Sequence, residues 1–91
     1  GSARLLIVLG ADIALVASGN KKGEMRLSTR ASNRIVSEGF NLTKILEEIA
    51  EINGGSAGGH PGAAGYNGKG DPEAISEIAR QKCADYIRQL P

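Results

Sequence analysis

The chain has 91 residues and a nearly balanced charge, with 11 Lys and Arg against 10 Asp and Glu. This length allows one small domain with a modest core. The charge balance excludes attraction of a polyanion by total charge, so any such attraction must come from a few Lys and Arg on one face. The only aromatic residues are Phe40, Tyr66 and Tyr86, which excludes a broad stacking platform for bases.

The single cysteine and the short apolar runs bear on the compartment and the chain's extent. Cys83 alone cannot form an intrachain disulfide or a Cys-based metal site, which favours an intracellular, cytoplasmic protein. The longest apolar run, residues 5–9, is far below the ~20 residues that cross a bilayer, so no membrane partner is expected. Gly1-Ser2 is typical of an expression-tag remnant. We therefore expect residues 3–91 to be one domain cut from a longer protein.

Three strands are predicted in the first third of the chain. Residues 4–9 form a short apolar run, and residues 13–18 form a second one beyond a turn. Residues 24–30 alternate, so that apolar and polar side chains occupy opposite faces: Met25, Leu27 and Thr29 against Arg26, Ser28 and Arg30. The pattern predicts an antiparallel meander with one apolar face and one charged face.

Helix signals dominate the rest of the chain. Ser32 is predicted to cap a short helix that ends at Gly39, and Asn41 to cap a longer one. The longer helix carries an apolar stripe at three-and-four spacing: Leu42, Ile45, Leu46, Ile49 and Ile52. Residues 62–66 are predicted to form a short strand, and Asp71-Pro72-Glu73 to begin the last helix.

This order of elements predicts an α/β (α+β) fold. We expect a small mixed β-sheet of about four to five strands, with an antiparallel meander and two main helices packed on it. The path from the third strand to the fourth would be a right-handed crossover if those strands are parallel.

The segment from residue 54 to residue 65 is rich in Gly and Ala and contains His60 and Pro61. Such a segment lets another surface approach the backbone closely, and its amides can bind an anion. His60 adds a directional hydrogen-bond donor. A tight helix-to-strand connection explains the glycines equally well, so composition leaves both interpretations open.

Ser28 and Arg30 are the second candidate feature. Two residues apart on a strand, they project from the same face, and Arg26 shares that face. Arg offers two parallel donors and Ser a third, which together suit a phosphate; a solvated sheet face is the other interpretation. No second His or acid pair accompanies His60 and no nucleophile has a base beside it, so no metal ligand or catalytic residue is predicted. Cys83 is expected to be a buried apolar filler.

The run Gly-Gly-His-Pro-Gly-Ala-Ala-Gly at residues 58–65 resembles the signature of the DHH-associated domain of the first type. That is the C-terminal substrate-binding domain of DHH-family phosphoesterases, which include RecJ-like exonucleases and oligoribonucleases. Ser28-Thr29-Arg30 resembles the Ser-x-Arg strand motif of this family. The spacing of the elements is also similar, over about residues 4–90.

The resemblance implies substrate-phosphate contacts from Ser28, Arg30, Gly58, Gly59, His60, Gly62 and Ala63. It implies no cofactor in this domain and a divalent metal, manganese or magnesium, in a separate DHH catalytic domain of the same chain. The implied activity is metal-dependent phosphodiester hydrolysis by that domain. The implied partners are single-stranded DNA or RNA, or short oligonucleotides.

Other functions remain open alternatives. The substrate could be a small molecule, such as a cyclic dinucleotide or a nucleoside bisphosphate, or the domain could be a non-catalytic docking or dimerisation module. A relative of this domain also closes alanyl-tRNA synthetases, where the loop usually carries Arg in place of His60 and lacks the Pro-Gly-Ala-Ala run. The sequence therefore favours the phosphoesterase branch.

Overall fold

The computed structural model describes residues 3–91, and the predicted tag remnant Gly1-Ser2 lies outside the described residues. Five strands and three helices follow in the order β1 (Ala3–Leu9), β2 (Ile13–Gly19), β3 (Glu24–Ala31), α1 (Asn33–Ser37), α2 (Leu42–Asn53), β4 (Ser56–His60), β5 (Ala63–Lys69) and α3 (Pro72–Arg88). The predicted α/β class, the antiparallel meander and the two main helices are confirmed.

The five strands form one sheet in the order β1-β2-β3-β5-β4. All four neighbouring pairs are antiparallel, whereas a mixed sheet was expected. The difference arises at residues 56–60, which were expected to be loop and form the edge strand β4. Because β5 folds back between β3 and β4, the two strands joined by α1 and α2 run in the same direction without being neighbours.

Local capping explains where the helices begin. Ser32, Asn41 and Asp71 each accept a hydrogen bond from a backbone N–H in the first turn of the helix that follows. These bonds satisfy donors that have no partner inside the helix. α2 ends at Gly54, whose φ of 81° lies in the region that favours glycine. The three predicted helix starts are therefore confirmed.

The core lies between the helices and one face of the sheet. Met25, Leu27 and Thr29 point into it, as the alternation of β3 predicts, and the Thr29 hydroxyl donates to the Ala64 carbonyl over 2.8 Å. Cys83 is also buried there, and burial raises its pKa to about 12. The largest fully buried apolar side chains are Tyr66, Phe40, Leu15, Leu27, Leu42, Leu46 and Ile49.

Ile52 is an exception to the predicted stripe of α2, because its side chain is 77% exposed. At about 100° per residue, position 52 lies well to one side of the stripe, and position 53 continues it. Asn53 takes that place, and its side-chain amide donates to the Tyr66 hydroxyl over 2.8 Å. The last turn of α2 is therefore held by a polar contact.

Candidate functional site

Four of the predicted binding residues of β3 and β4 lie on the sheet face opposite the helices: Ser28, Arg30, Gly58 and His60. Gly59 is on the helix-covered face, in register with Ala64 and Thr29. Residues paired across antiparallel strands project to the same side, so the register arranges the outward side chains in rows that cross the sheet. We call this surface the open face. Three of its rows are Val8-Ala14-Arg30-Ala63-His60, Leu6-Val16-Ser28-Gly65-Gly58 and Arg4-Ser18-Arg26-Asn67-Ser56. Beyond the third row, Glu24 and Lys69 form a further pair on this face.

Arg30 and His60 occupy the same row, with only Ala63 between them. They lie two strands apart, which places their Cα atoms about 10 Å from each other. Ser28 is in the adjacent row, beside Gly65. Because Ala63 and Gly65 are small, the surface between Arg30 and His60 is low. The structure thus brings together Ser28, Arg30 and His60 over small residues, although they are distant in sequence.

The predicted glycine loop is a β-hairpin that is tied to the rest of the fold. Pro61 and Gly62 form its turn; the Pro61 carbonyl accepts from the Leu42 N–H over 3.1 Å, and the Gly62 carbonyl accepts from the Ala31 N–H over 2.9 Å. The segment that was expected to be a loop is therefore a strand and a turn with fixed hydrogen bonds. The backbone available to a ligand is the unpaired outer edge of β4.

The same turn orients His60. The Gly62 N–H donates to Nδ1 of His60 over 3.3 Å, so the neutral ring carries its proton on Nε2. The imidazole ring is exposed. His60 therefore offers one donor to a ligand. The Gly62 N–H already donates to His60, so it is not free to bind a ligand.

Adjacent glycines of the motif have different roles. Gly59 has a φ of 138°, and a Cβ there would lie 2.4 Å from the Ala63 carbonyl oxygen. A Cβ on Gly58 would meet nothing within 4 Å, and one on Gly65 would make only an ordinary contact of 3.7 Å. Gly59 thus permits close packing of the hairpin, whereas Gly58 and Gly65 keep the open face flat.

The charges of the domain are distributed unevenly between its two sides. The three rows of the open face contain Arg4, Arg26 and Arg30 and no Asp or Glu. Within residues 3–91, Arg26 and Arg30 have no carboxylate partner. Eight of the ten acidic residues lie on the helices or their caps: Glu38, Glu47, Glu48, Glu51, Asp71, Glu73, Glu77 and Asp85. The open face is therefore locally positive despite the balanced total.

Two grooves flank the polar half of the open face. The smaller, about 320 Å³, lies beside Arg30 at the β1–β2 turn. Asp12 in its wall accepts from the Ser32 hydroxyl over 2.6 Å and pairs with Arg34. The Ser32 hydrogen bond and then Arg34 lower the pKa of the Asp12 carboxyl. The Asp12 carboxylate is therefore bound by Ser32 and Arg34, and among the described residues it forms no ion pair with Arg30.

The larger groove, about 840 Å³, lies at the other end of β3 and was not predicted. It is formed where the β2–β3 hairpin, the end of α2 and the end of β5 meet, and Arg26, Asn67 and Lys69 line it. The only signal for it in the sequence was that Arg26 shares a face with Arg30. The pairing of β3 with β5, which brings Lys69 alongside, required the structure.

The other half of the open face is apolar. Leu6 and Val8 of β1 are 67% and 60% exposed, and Val16 and Ala14 of β2 continue the patch.

Within the described part of the chain, no helix is long and apolar enough to cross a membrane. Likewise, no three His, Cys, Asp or Glu side chains of residues 3–91 are grouped so as to hold a metal ion.

Comparison with known proteins identifies the family. Residues 3–89 match the family model of the DHHA1 domain. The chain is 37% identical over 76 residues to an uncharacterized protein of Methanocaldococcus jannaschii, a match that covers 82% of this chain and 23% of that protein.

Two alanine–tRNA ligases are also similar. The ligase of Ligilactobacillus salivarius is 34% identical over 69 residues, and that of Geobacillus kaustophilus is 33% identical over 69 residues. Each match covers 76% of this chain and 8% of the ligase. The chain thus spans less than a quarter of the length of these curated relatives, and the relatives do not separate the phosphoesterase branch from the ligase branch. DHHA1 is the DHH-associated domain of DHH-family phosphoesterases, and alanine–tRNA ligases carry it too. The chain belongs to the DHHA1 domain family.

Proposed function

We propose that this domain binds the phosphates of a single-stranded nucleic acid or short oligonucleotide and positions them for a DHH catalytic domain of the same chain, as in a RecJ-like exonuclease. One observation carries this proposal. Arg30 and His60 stand in one row of the open face, with Ser28 beside them and small residues between them. This arrangement provides several donors on one face, above a surface that a backbone phosphate can approach.

The donor chemistry suits a phosphate. The guanidinium of Arg30 can give two parallel hydrogen bonds and has no carboxylate partner among the described residues. Nε2 of His60 and the hydroxyl of Ser28 add two further donors. No acid in the three rows opposes the ligand's charge. The absence of aromatic side chains from the open face favours recognition of the backbone over stacking of bases.

Hydrolysis is assigned to the DHH domain. The three rows around Arg30 and His60 offer one imidazole and no carboxylate, which does not fit a divalent metal, so we assign the manganese or magnesium of the family to that partner domain. The residues of this chain bind and orient the ligand only. The apolar patch of β1 and β2 lies beside the phosphate site and is available for contact with the catalytic domain.

A titration tests the proposal directly. The chain labelled with ¹⁵N would be titrated with single-stranded DNA, single-stranded RNA and dinucleotides at low salt. We expect shifts of Arg30, His60 and their neighbours, and a loss of about 1.5–3 kcal/mol of binding free energy in Arg30→Ala.

Arg88→Ala is the matched control, because it removes the same side chain from the end of α3 and disrupts only an exposed ion pair with Asp85. Equal affinity of Arg30→Ala and the parent chain, or no shift at residues 58–65 with any ligand, would refute the proposal.

The similarity to alanine–tRNA ligases supports a second candidate, a tRNA-binding domain of such a ligase. The same titration separates the two, since an intact tRNA would then bind more tightly than single-stranded oligonucleotides of matched charge. Preference for the single strands would reject the ligase candidate.

A further inference from the structure

The larger groove is lined by polar and charged side chains that could hold a second part of a bound ligand. Arg26 and Lys69 line this groove, and neither has an ion-pair partner among residues 3–91. Asn67 is paired with Arg26 across β3 and β5 and adds an exposed amide. Two cationic side chains without ion-pair partners, together with one amide, surround this groove. They are a suitable set of donors for a second phosphate.

Glu24 is the one acid in the groove, and its carboxylate is engaged by a neighbour. Its Oε1 accepts from the Asn20 side-chain amide over 2.9 Å. It is paired with Lys69 in the register of β3 and β5, at the rim beyond the row of Arg26. The groove therefore keeps a net positive charge, reduced by this carboxylate.

The groove is aligned with the first phosphate site along β3. Arg26, Ser28 and Arg30 alternate along that strand and share the open face, so the Cα atoms of the two arginines are about 13 Å apart. A stacked nucleic-acid strand advances about 3.4 Å per nucleotide, so about four nucleotides span this distance and fewer do so when the strand is extended. The row between them contains Ser28, Gly65 and Gly58, which place no bulk in the path.

We propose that the groove at Arg26, Asn67 and Lys69 is a second phosphate subsite, so that the ligand is a strand of several nucleotides lying along β3. This inference rests on the proposed function. It adds a substrate class, because a dinucleotide reaches only the Arg30 and His60 site, whereas a longer strand reaches both. The domain then binds longer strands more tightly without any stacking platform.

A length series tests the subsite. Fluorescent oligothymidylates, from the dinucleotide to the octanucleotide, would be titrated against the 91-residue chain by anisotropy at several salt concentrations. We expect affinity to rise with length and then level off once both subsites are filled. Arg26→Ala and Lys69→Ala should each weaken octanucleotide binding about tenfold while leaving the dinucleotide within about twofold. Each should also lower the salt slope for the octanucleotide by about one.

Two further variants sharpen the series. Lys44→Ala is the matched control for Lys69→Ala, because it removes an exposed lysine from α2 on the opposite side of the sheet. It should leave both ligands unaffected. Glu24→Gln should act in the opposite direction, strengthening octanucleotide binding and leaving the dinucleotide unchanged. Thermal denaturation would show that these surface changes leave the fold intact.

The outcomes separate the subsite from the function on which it rests. If Arg30→Ala weakens all lengths but dinucleotide and octanucleotide bind equally, the second subsite is absent and the proposed function stands. If Arg26→Ala and Lys69→Ala weaken the dinucleotide as much as the octanucleotide, the groove is not a separate subsite. If no length binds, both the proposed function and this inference fail.

Discussion

The helix-covered face and the open face of the sheet are built from alternate residues of the same strands, yet they accept added atoms very differently. On the covered face, a Cβ on Gly68 would lie 2.1 Å from the Tyr66 hydroxyl oxygen, and one on Gly59 would lie 2.4 Å from a carbonyl oxygen. On the open face, a Cβ on Gly58 would meet nothing within 4 Å. The glycines of β4 and β5 therefore have two roles. Some permit close packing toward the core, and others keep the surface low toward a ligand.

This difference separates the expected effects of mutation. Changes on the covered face should lower the free energy of unfolding, because that face is closely packed and the Thr29 and Tyr66 hydroxyls on it are hydrogen-bonded. Changes on the open face should lower ligand affinity and leave the fold intact.

Gly59→Ala should be the most damaging of these substitutions. The positive φ strains any residue with a Cβ, and that Cβ would also meet Ala63 and Ala64 of β5. We expect a loss of about 3 kcal/mol in the free energy of unfolding, measured by urea denaturation. Gly58→Ala is the matched control and should change stability by less than about 1 kcal/mol. Equal losses in the two variants would contradict the division of the glycines.

Tyr66→Phe should have the next largest effect. The Tyr66 hydroxyl donates to the Gly54 carbonyl over 2.7 Å and accepts from Asn53, joining the end of α2 to β5. Its removal should lower the free energy of unfolding by about 1–2 kcal/mol and leave oligonucleotide binding unchanged.

Tyr86→Phe is the control for this change, because the Tyr86 hydroxyl makes one exposed bond, to the Gly39 carbonyl, over 3.1 Å. It should cost less than Tyr66→Phe in the same denaturation experiment. A larger loss in Tyr86→Phe would mean that the Tyr66 contacts contribute little to the fold.

Gly58→Val tests the open face from the other direction. The side chain would rise in the Ser28 row, next to His60 of the Arg30 row, where the surface is now low, so bound phosphate would be displaced. We expect about a tenfold loss of oligonucleotide affinity, equivalent to about 1.4 kcal/mol, with the urea midpoint unchanged. Unchanged affinity would show that the ligand does not lie over β4.

Much of the fold could be predicted from local signals. The alternation of residues 24–30 predicts both faces of β3, and the capping residues Ser32, Asn41 and Asp71 predict the three helix starts. β4 was missed because Ser-Ala-Gly-Gly-His lacks the β-branched and aromatic residues that mark a strand. It is a strand because β5 pairs with it and α2 covers it.

The site was predictable in its parts and not in its assembly. Ser28 and Arg30 share a face by alternation alone, and the family resemblance implicated His60. Their placement in neighbouring rows depends on the strand order β3-β5-β4, which is set by long-range pairing. Lys69 carried no signal of its own, because nothing local indicates that it will lie beside Arg26. Whether these residues bind substrate stays a prediction.

The smallest expected effect on stability comes from a variant that places a thiol on the open face. Its reactivity can be compared with that of the buried thiol of Cys83. Cys83 lies in the covered layer, and burial raises its pKa to about 12, so the reactive thiolate is scarce in the native fold at about pH 8. A thiol reagent should modify Cys83 only through transient opening of the structure. Ser28→Cys changes one oxygen to sulfur at an exposed position and should leave stability within about 0.5 kcal/mol.

This variant should therefore show one fast and one slow thiol in the same labelling trace, read by absorbance. The slow phase should match that of the parent chain and accelerate in urea, because opening exposes the core. The fast phase should slow when an oligonucleotide covers β3, whereas the slow phase should not accelerate. An unchanged fast phase, at an oligonucleotide concentration that slows the slow phase, would place the ligand away from the open face.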